Sequence, residues 1–241
     1  MEFVDFRARL ADDTARLAAV ATDLDARVPS CPDWTVEDLV RHVAQVYLHK
    51  VQCMRLGHHP EDWPHDHSAE PALALLTRAH AELEAEFAAR APESTTYTWY
   101  GPDQTVGFWV RRMAQEAAVH RVDAELAAGQ VTLVAADLAA DGVDEVLRIF
   151  LAWTSIQWPE DYTLTDAPVV EVRTGGRSWF VRPTVAGVFV EAEGEAATTI
   201  SGEPSDVLLW LWRRVGDDAV TITGDPAGAK TLHDLLEAGT Q

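Results

Sequence analysis

The chain is 241 residues long and carries 19 basic against 39 acidic side chains, a formal net charge of −20. That balance excludes a general nucleic-acid binder, which needs a basic face to displace counterions from phosphates, and it disfavours docking on anionic lipid. A hydrophobic content of 47% is too high for a disordered chain and suffices for one large core or two smaller ones.

Lys50 and Lys230 are the only lysines, so almost all positive charge is arginine, a bias that accords with a GC-rich genome. Two cysteines, Cys31 and Cys53, are too few for a disulfide framework. The start, MEFVDFRARLADD, has neither the basic nor the apolar region of a signal peptide. No apolar run is long enough to span a membrane. The expectation is a cytoplasmic protein with free thiols.

In chain order, Phe3, Phe6, Leu10, Leu17, Val20 and Leu24 fall at helical spacings and predict an amphipathic helix over residues 3–27. The stretch Pro29-Ser30-Cys31-Pro32-Asp33-Trp34 interrupts it, with Trp34 expected to staple the start of the next helix. That helix begins after Thr35 as N-cap, with Asp38 completing a capping-box variant, and runs to Leu56 before Gly57. Residues 58–67 form a polar, histidine-rich loop. Helices are expected at 69–90 and 105–128. Four helices joined by loops predict a four-helix bundle.

After Gly129 the pattern changes. One helix is expected at 135–153, then short β-rich runs at 162–165, 169–173, 179–182, 188–191 and 198–200. A helix at 204–215, a strand at 220–223 and a helix at 226–238 close the chain. The fold class is therefore α+β, a bundle followed by a small α+β domain, and the expected domains are 1–135 and 136–241.

The fourth helix holds Glu116-Ala-Ala-Val-His120, an i, i+4 pair that puts both side chains on one face. Met113, Ala117 and Val119 beside it are apolar, so the pair points to a partly buried region, where a lone carboxylate is costly. From spacing alone, a surface Glu–His hydrogen bond is the better reading, and a satisfied core histidine is the better reading of His42 taken alone. Bundles nevertheless build metal sites from facing helices. His42 with Glu116 and His120 makes three donors, the number in a catalytic site that keeps a fourth position open.

The segment Cys31-Pro-Asp-Trp-Thr-Val-Glu-Asp-Leu-Val-Arg-His42-Val resembles the second-helix signature of the mycothiol-dependent maleylpyruvate isomerase family, within the DinB-like superfamily of four-helix metalloproteins. Arg112-Met-Ala-Gln-Glu116-Ala-Ala-Val-His120-Arg-Val-Asp123 resembles its second signature. Residues 200–214 and Ile222-Thr-Gly-Asp resemble its C-terminal domain.

The resemblance implies a divalent metal, usually zinc, on His42, Glu116 and His120, and mycothiol as thiol cofactor or cosubstrate. It also implies a small electrophilic substrate, an isomerase or a thiol S-transferase activity, and an actinobacterial source. The substrate-binding arginine of the isomerase matches Arg214, with Arg213 as the alternative. Two imidazoles among three donors favour zinc over magnesium.

Two other classes fit the same donors: a non-catalytic metal-containing small-molecule binding protein, and a thiol-independent metallohydrolase. His58, His59, His65 and His67 lie on a loop, which suits a solvated segment better than a second metal site. Neither Cys31 nor Cys53 is expected to have a helix-borne base beside it, so the reactive sulfur is expected from the cofactor. Asp123, three residues beyond His120, fits either a group supporting that histidine or an ordinary carboxylate. The substrate and the oligomeric state stay open.

Overall fold

The computed structural model describes residues 1–240. The chain divides into two compact units, Met1–Thr132 and Leu133 onward.

The first unit is helical. Helix α1 (Phe3–Val20) buries Phe6, Leu10, Thr14, Leu17 and Val20, one stripe at spacings of three and four. It stops well short of residue 27. The carbonyls of Leu24 and Ala26 accept from Glu37 and Val36 at the start of the next helix. The chain between becomes a small antiparallel hairpin of β1 (Arg27–Val28) and β2 (Cys31–Thr35). These backbone groups serve the hairpin and the following helix, so the apolar period cannot carry α1 through them.

Helix α2 (Val36–Leu56) starts and stops where the sequence predicts. The Thr35 hydroxyl accepts from the Asp38 amide at 3.2 Å, and the Asp38 carboxylate accepts from the Thr35 amide at 2.9 Å. Gly57 takes the left-handed conformation, φ 74°, that ends the helix. Helices α3 (Ala72–Ala89) and α4 (Val106–Ala127) complete the unit. α1 packs on α4, and α2 packs on both α3 and α4. Leu10, Leu17, Leu39, Tyr47, Leu75, Leu83, Trp109 and Met113 are fully buried among them. Arg121 pairs with Asp13 at 3.0 Å and Arg16 with Glu125 at 2.7 Å, tying α1 to α4.

The second unit opens with α5 (Ala136–Glu145), which runs on through a π-helical stretch, Val146–Trp153, into α6 (Thr154–Gln157). Five strands follow: β3 (Val170–Thr174), β4 (Arg177–Thr184), β5 (Gly187–Glu191), β6 (Thr198–Ser201) and β7 (Thr221–Gly224). Their order is β5-β4-β3-β6-β7, with β3 and β6 parallel and the other pairs antiparallel. The β3–β4 turn is Gly175-Gly176, both at positive φ (57° and 73°), as a two-residue hairpin of this hand requires. Helix α7 (Pro204–Leu211) packs on α5, and α8 (Pro226–Glu237) lies on the sheet.

Two expectations fail in this unit. Residues 162–165 form no strand: the Tyr162 hydroxyl sits 2.6 Å from Thr154 Oγ1 and donates to the Phe150 carbonyl at 3.1 Å, which holds the segment against the preceding helix. Helix α7 ends at Leu211 rather than 215. Arg213 adopts φ 61°, and the Arg214 amide turns back to the Leu209 carbonyl at 2.8 Å.

The cap that fixes the first turn of α2 tests this description. Thr35→Ala is expected to cost about 1 kcal/mol, read as a lower urea midpoint with unchanged slope; an unchanged midpoint would show that the cap contributes nothing.

Candidate metal centre

Helices α2 and α4 bring three donors to one point. Nε2 of His42 and Nε2 of His120 each lie 3.3 Å from the same Glu116 oxygen, Oε1. The three ligand atoms lie within 4.8 Å of one another, the one such grouping of three or more His, Cys, Asp or Glu among the described residues. Donors at about 2.0–2.1 Å from a tetrahedral zinc would be about 3.3–3.4 Å apart, which both carboxylate–imidazole separations match, while the set as a whole spans up to 4.8 Å and would have to draw in slightly around an ion. The i, i+4 spacing on α4 sets one of these distances. The packing of α2 on α4 sets the other.

Neighbouring groups fix each donor. Arg112, one turn before Glu116, donates from Nη2 to Glu116 Oε2 at 2.6 Å, which leaves Oε1 for the imidazoles. His120 Nδ1 lies 2.9 Å from Asp123 Oδ2, and Ser30 Oγ donates to Asp123 Oδ1 at 2.5 Å. Asp123 is fully buried. A carboxylate on the far nitrogen of an imidazole orients the ring and raises its basicity as a ligand. The Trp34 ring lies beside His42, tilted by 44° with centroids 4.8 Å apart, and 6.3 Å from His120. Side-chain exposure is 36% at His42 but 13% at Glu116 and 12% at His120, so the centre opens on the His42 side.

Burial by itself would raise the Glu116 carboxyl. His120, the hydrogen bonds of both imidazoles and Arg112 outweigh it and hold the group well below the ordinary carboxylate range. Burial likewise works against a charged His120, but Glu116 and Asp123 carry it up to about 9. Without a cation, the imidazolium compensates the buried carboxylate.

The contacts of Arg112 with Glu116, of Ser30 with Asp123 and of Trp34 with His42 were not among the expectations from the sequence. The i, i+4 spacing of Arg112 and Glu116 is the signal that could have revealed the first pair. Ser30 and Trp34 reach the centre only because of the β1–β2 hairpin, which the sequence reading lacks.

The other candidates fall elsewhere. His58, His59, His65 and His67 do not converge with other donors; His59 and Trp63 pack beside the His49 ring at 5.1 and 5.2 Å. Cys31 begins β2, half-buried, and Cys53 is fully buried on α2. The expectation that Cys53 lacks a helix-borne base is wrong: His49 Nδ1, one turn earlier, is 3.7 Å from its sulfur. That nitrogen is also 2.9 Å from Lys50 Nζ, and burial pushes the Cys53 thiol up, so the pair is not an activated nucleophile. In the second unit, Arg214 donates from Nη1 to the Trp212 and Thr240 carbonyls at 2.7 and 3.4 Å, and its guanidinium lies 5.8 Å from the Trp212 ring centroid. Arg213 lies 3.4 Å from Glu237.

Residues 5–125 match the mycothiol maleylpyruvate isomerase N-terminal domain, and residues 137–231 match the C-terminal domain of the same family, MDMPI. The chain belongs to the mycothiol-dependent maleylpyruvate isomerase family. That is a family of enzymes. Among solved structures, the crystal structure of the mycothiol-dependent maleylpyruvate isomerase is similar over 93% of this chain and 95% of that one, with a TM-score of 0.61 at 14% identity. A histidine-to-alanine mutant of the mycothiol-dependent maleylpyruvate isomerase gives 0.59 at 15% identity over the same shares. These likenesses establish a shared fold. Comparison with curated proteins gives no match. Among the described residues, no helix is long and apolar enough to cross a membrane.

The paired charges predict a pH dependence for protein stripped of metal by chelation. The His120 value in the folded chain lies above its ordinary 6.5, so the stability it contributes is complete below about 6.5 and is lost as pH rises through about 9. An NMR titration of the histidine ring protons should show His120 as a high-pH outlier; a His120 midpoint at or below 6.5 would contradict the pairing.

Proposed function

We propose that this chain is a metal-dependent enzyme that uses mycothiol as thiol cofactor or cosubstrate, acting as an isomerase of a maleylpyruvate-like acid or as a mycothiol S-transferase. The observation that carries the reading is the single Glu116 oxygen 3.3 Å from both imidazoles, in a chain of this family. His42, Glu116 and His120 would hold the ion, and the donor set favours zinc. A divalent cation there favours the deprotonated form of a coordinating thiol, which is the nucleophilic form.

The chain's own residues prepare the centre. Asp123 holds the His120 ring so that Nε2 faces Glu116. Arg112 fixes the Glu116 carboxylate through its other oxygen. Trp34 packs beside the His42 ring, centroids 4.8 Å apart and planes 44° apart. Three protein donors are the number in catalytic zinc sites that keep a position for an exogenous group.

With Cys53 buried and its thiol pushed up, the sulfur is assigned to mycothiol rather than to the chain. The carboxylate-recognition role of Arg214 rests on the family resemblance; a guanidinium suits a carboxylate because its donors can pair with both oxygens.

Turnover of maleylpyruvate, or of a test electrophile, should require both mycothiol and the metal. His42→Ala, Glu116→Ala and His120→Ala should each lose metal and activity together, whereas a Cys31→Ala, Cys53→Ala double variant keeps most of its turnover. Full metal retention in all three ligand variants, or turnover independent of thiol, would overturn the proposal. Arg214→Ala should weaken substrate binding or turnover by about 1.5–3 kcal/mol, the range for a hydrogen bond to a charged group, with metal content unchanged. Unaltered kinetics would remove Arg214 from the reaction.

A further inference from the structure

Lys50 stands apart from the other charged groups of the helical unit. It is one of two lysines in the chain. Its ammonium lies 2.9 Å from His49 Nδ1 and 4.8 Å from the centroid of the fully buried Trp109 ring. No carboxylate among the described residues pairs with it, although acidic groups outnumber basic ones 39 to 19. Lys230, by contrast, holds Asp234 at 2.6 Å. The partner of Lys50 is neutral: burial first, then Lys50 and His59, depress the His49 imidazole to about 3. A half-buried charge whose contacts are a lone pair and an aromatic face, with no carboxylate in contact, is under-compensated. Burial lowers the Lys50 amine only to about 8, so it remains largely charged at neutral pH.

The position of this charge gives it a use. His42 and Lys50 are on the same helix, about 12 Å apart along its axis. Helix α4 runs antiparallel beside it, with Glu116 next to His42 and Trp109 next to Lys50. Trp109, Arg112 and Glu116 fall at i, i+3 and i+7 on α4, so the ring under Lys50 and the carboxylate beside His42 lie on one face of that helix. The ammonium itself sits over the Trp109 ring, about two turns along α4 from Glu116. Arg112 is bound to Glu116 Oε2, whereas Lys50 has no anion of its own.

We infer that Lys50 is a specificity-determining residue that binds a carboxylate of the acid substrate on the α2–α4 seam, beside the centre formed by His42, Glu116 and His120. The Trp109 face and His49 hold the ammonium in place, and an incoming carboxylate supplies the missing counter-charge in surroundings where a charge-assisted hydrogen bond is strong. The inference rests on the reading that an organic acid is the substrate. It adds a recognition point within the helical unit, independent of Arg214.

Two lysines make the test direct. In full-length protein labelled with 13C at lysine Cε, Lys50 and Lys230 give two side-chain signals. Titration with maleate at constant ionic strength should shift the Lys50 signal saturably and leave Lys230 unmoved. By calorimetry, Lys50→Met should raise the maleate Kd about tenfold or more, the effect of losing one charge-assisted hydrogen bond, at unchanged zinc content; Lys50→Arg should recover most of the affinity. With the true acid substrate the loss should fall mainly on KM rather than kcat.

A Lys50 signal that ignores maleate, or equal maleate affinity in Lys50→Met, would overturn the inference. Its failure is separable from that of the metal reading, because zinc content reports on His42, Glu116 and His120 while the lysine signal reports on Lys50. A saturable Lys50 shift in His42→Ala protein would support the inference whatever that variant does to zinc.

Discussion

The helical unit is organised around one buried carboxylate. Glu116 lies between two helices where an unpaired negative charge would cost several kcal/mol, and the surrounding sequence answers that cost. Arg112 takes one oxygen, and two imidazoles face the other. Asp123 and Ser30 then brace the more buried imidazole. The packing of α2 on α4 brings His42 to Glu116, and the Thr35–Asp38 cap and Gly57 fix where α2 begins and ends. A cation is the natural counterpart of this arrangement, since both imidazoles can give it lone pairs only when neutral.

Much of this was legible in the amino-acid order. The caps of α2 predict that helix closely and the range expected for α4 lies within a residue of the observed one at each end, because such signals are local. Glu116 and His120 could be paired from an i, i+4 spacing, whereas His42 could be added only from the general habit of bundles to build sites between facing helices and from the family resemblance, since no local rule joins residues on different helices. The hairpin Arg27–Thr35 was not legible. Its ladder is short, rich in proline and polar residues, and held by the start of α2 rather than by a strand-like pattern. Missing it concealed the roles of Ser30 and Trp34.

The second unit shows the same division between local and non-local signals. The β-rich runs at 169–173 and 179–182 overlap β3 and β4, whose Gly175-Gly176 turn was not among the expectations. The strand expected at 162–165 had the right residue types, but a strand exists only if a neighbour offers a ladder, and the Tyr162 hydroxyl is engaged by Thr154 and Phe150 instead. At the end of α7 a non-glycine residue, Arg213, takes the left-handed conformation that usually marks glycine. No composition rule flags that turn, and it gives Arg213 and Arg214 different surroundings: Arg214 is anchored on the Trp212 and Thr240 carbonyls, and Arg213 lies beside Glu237.

A cation site at the Glu116 carboxylate and its two imidazoles differs from a simple ion pair in what it takes up and what it releases. Calorimetric titration of zinc into chelator-treated protein at pH 7.5, repeated in buffers of different ionisation enthalpy, tests it most directly. The account predicts one ion per chain, with about one proton released as His120, held at about 9 in the absence of metal, gives up its charge to become a ligand. No saturable uptake, or uptake with no proton released, would contradict it.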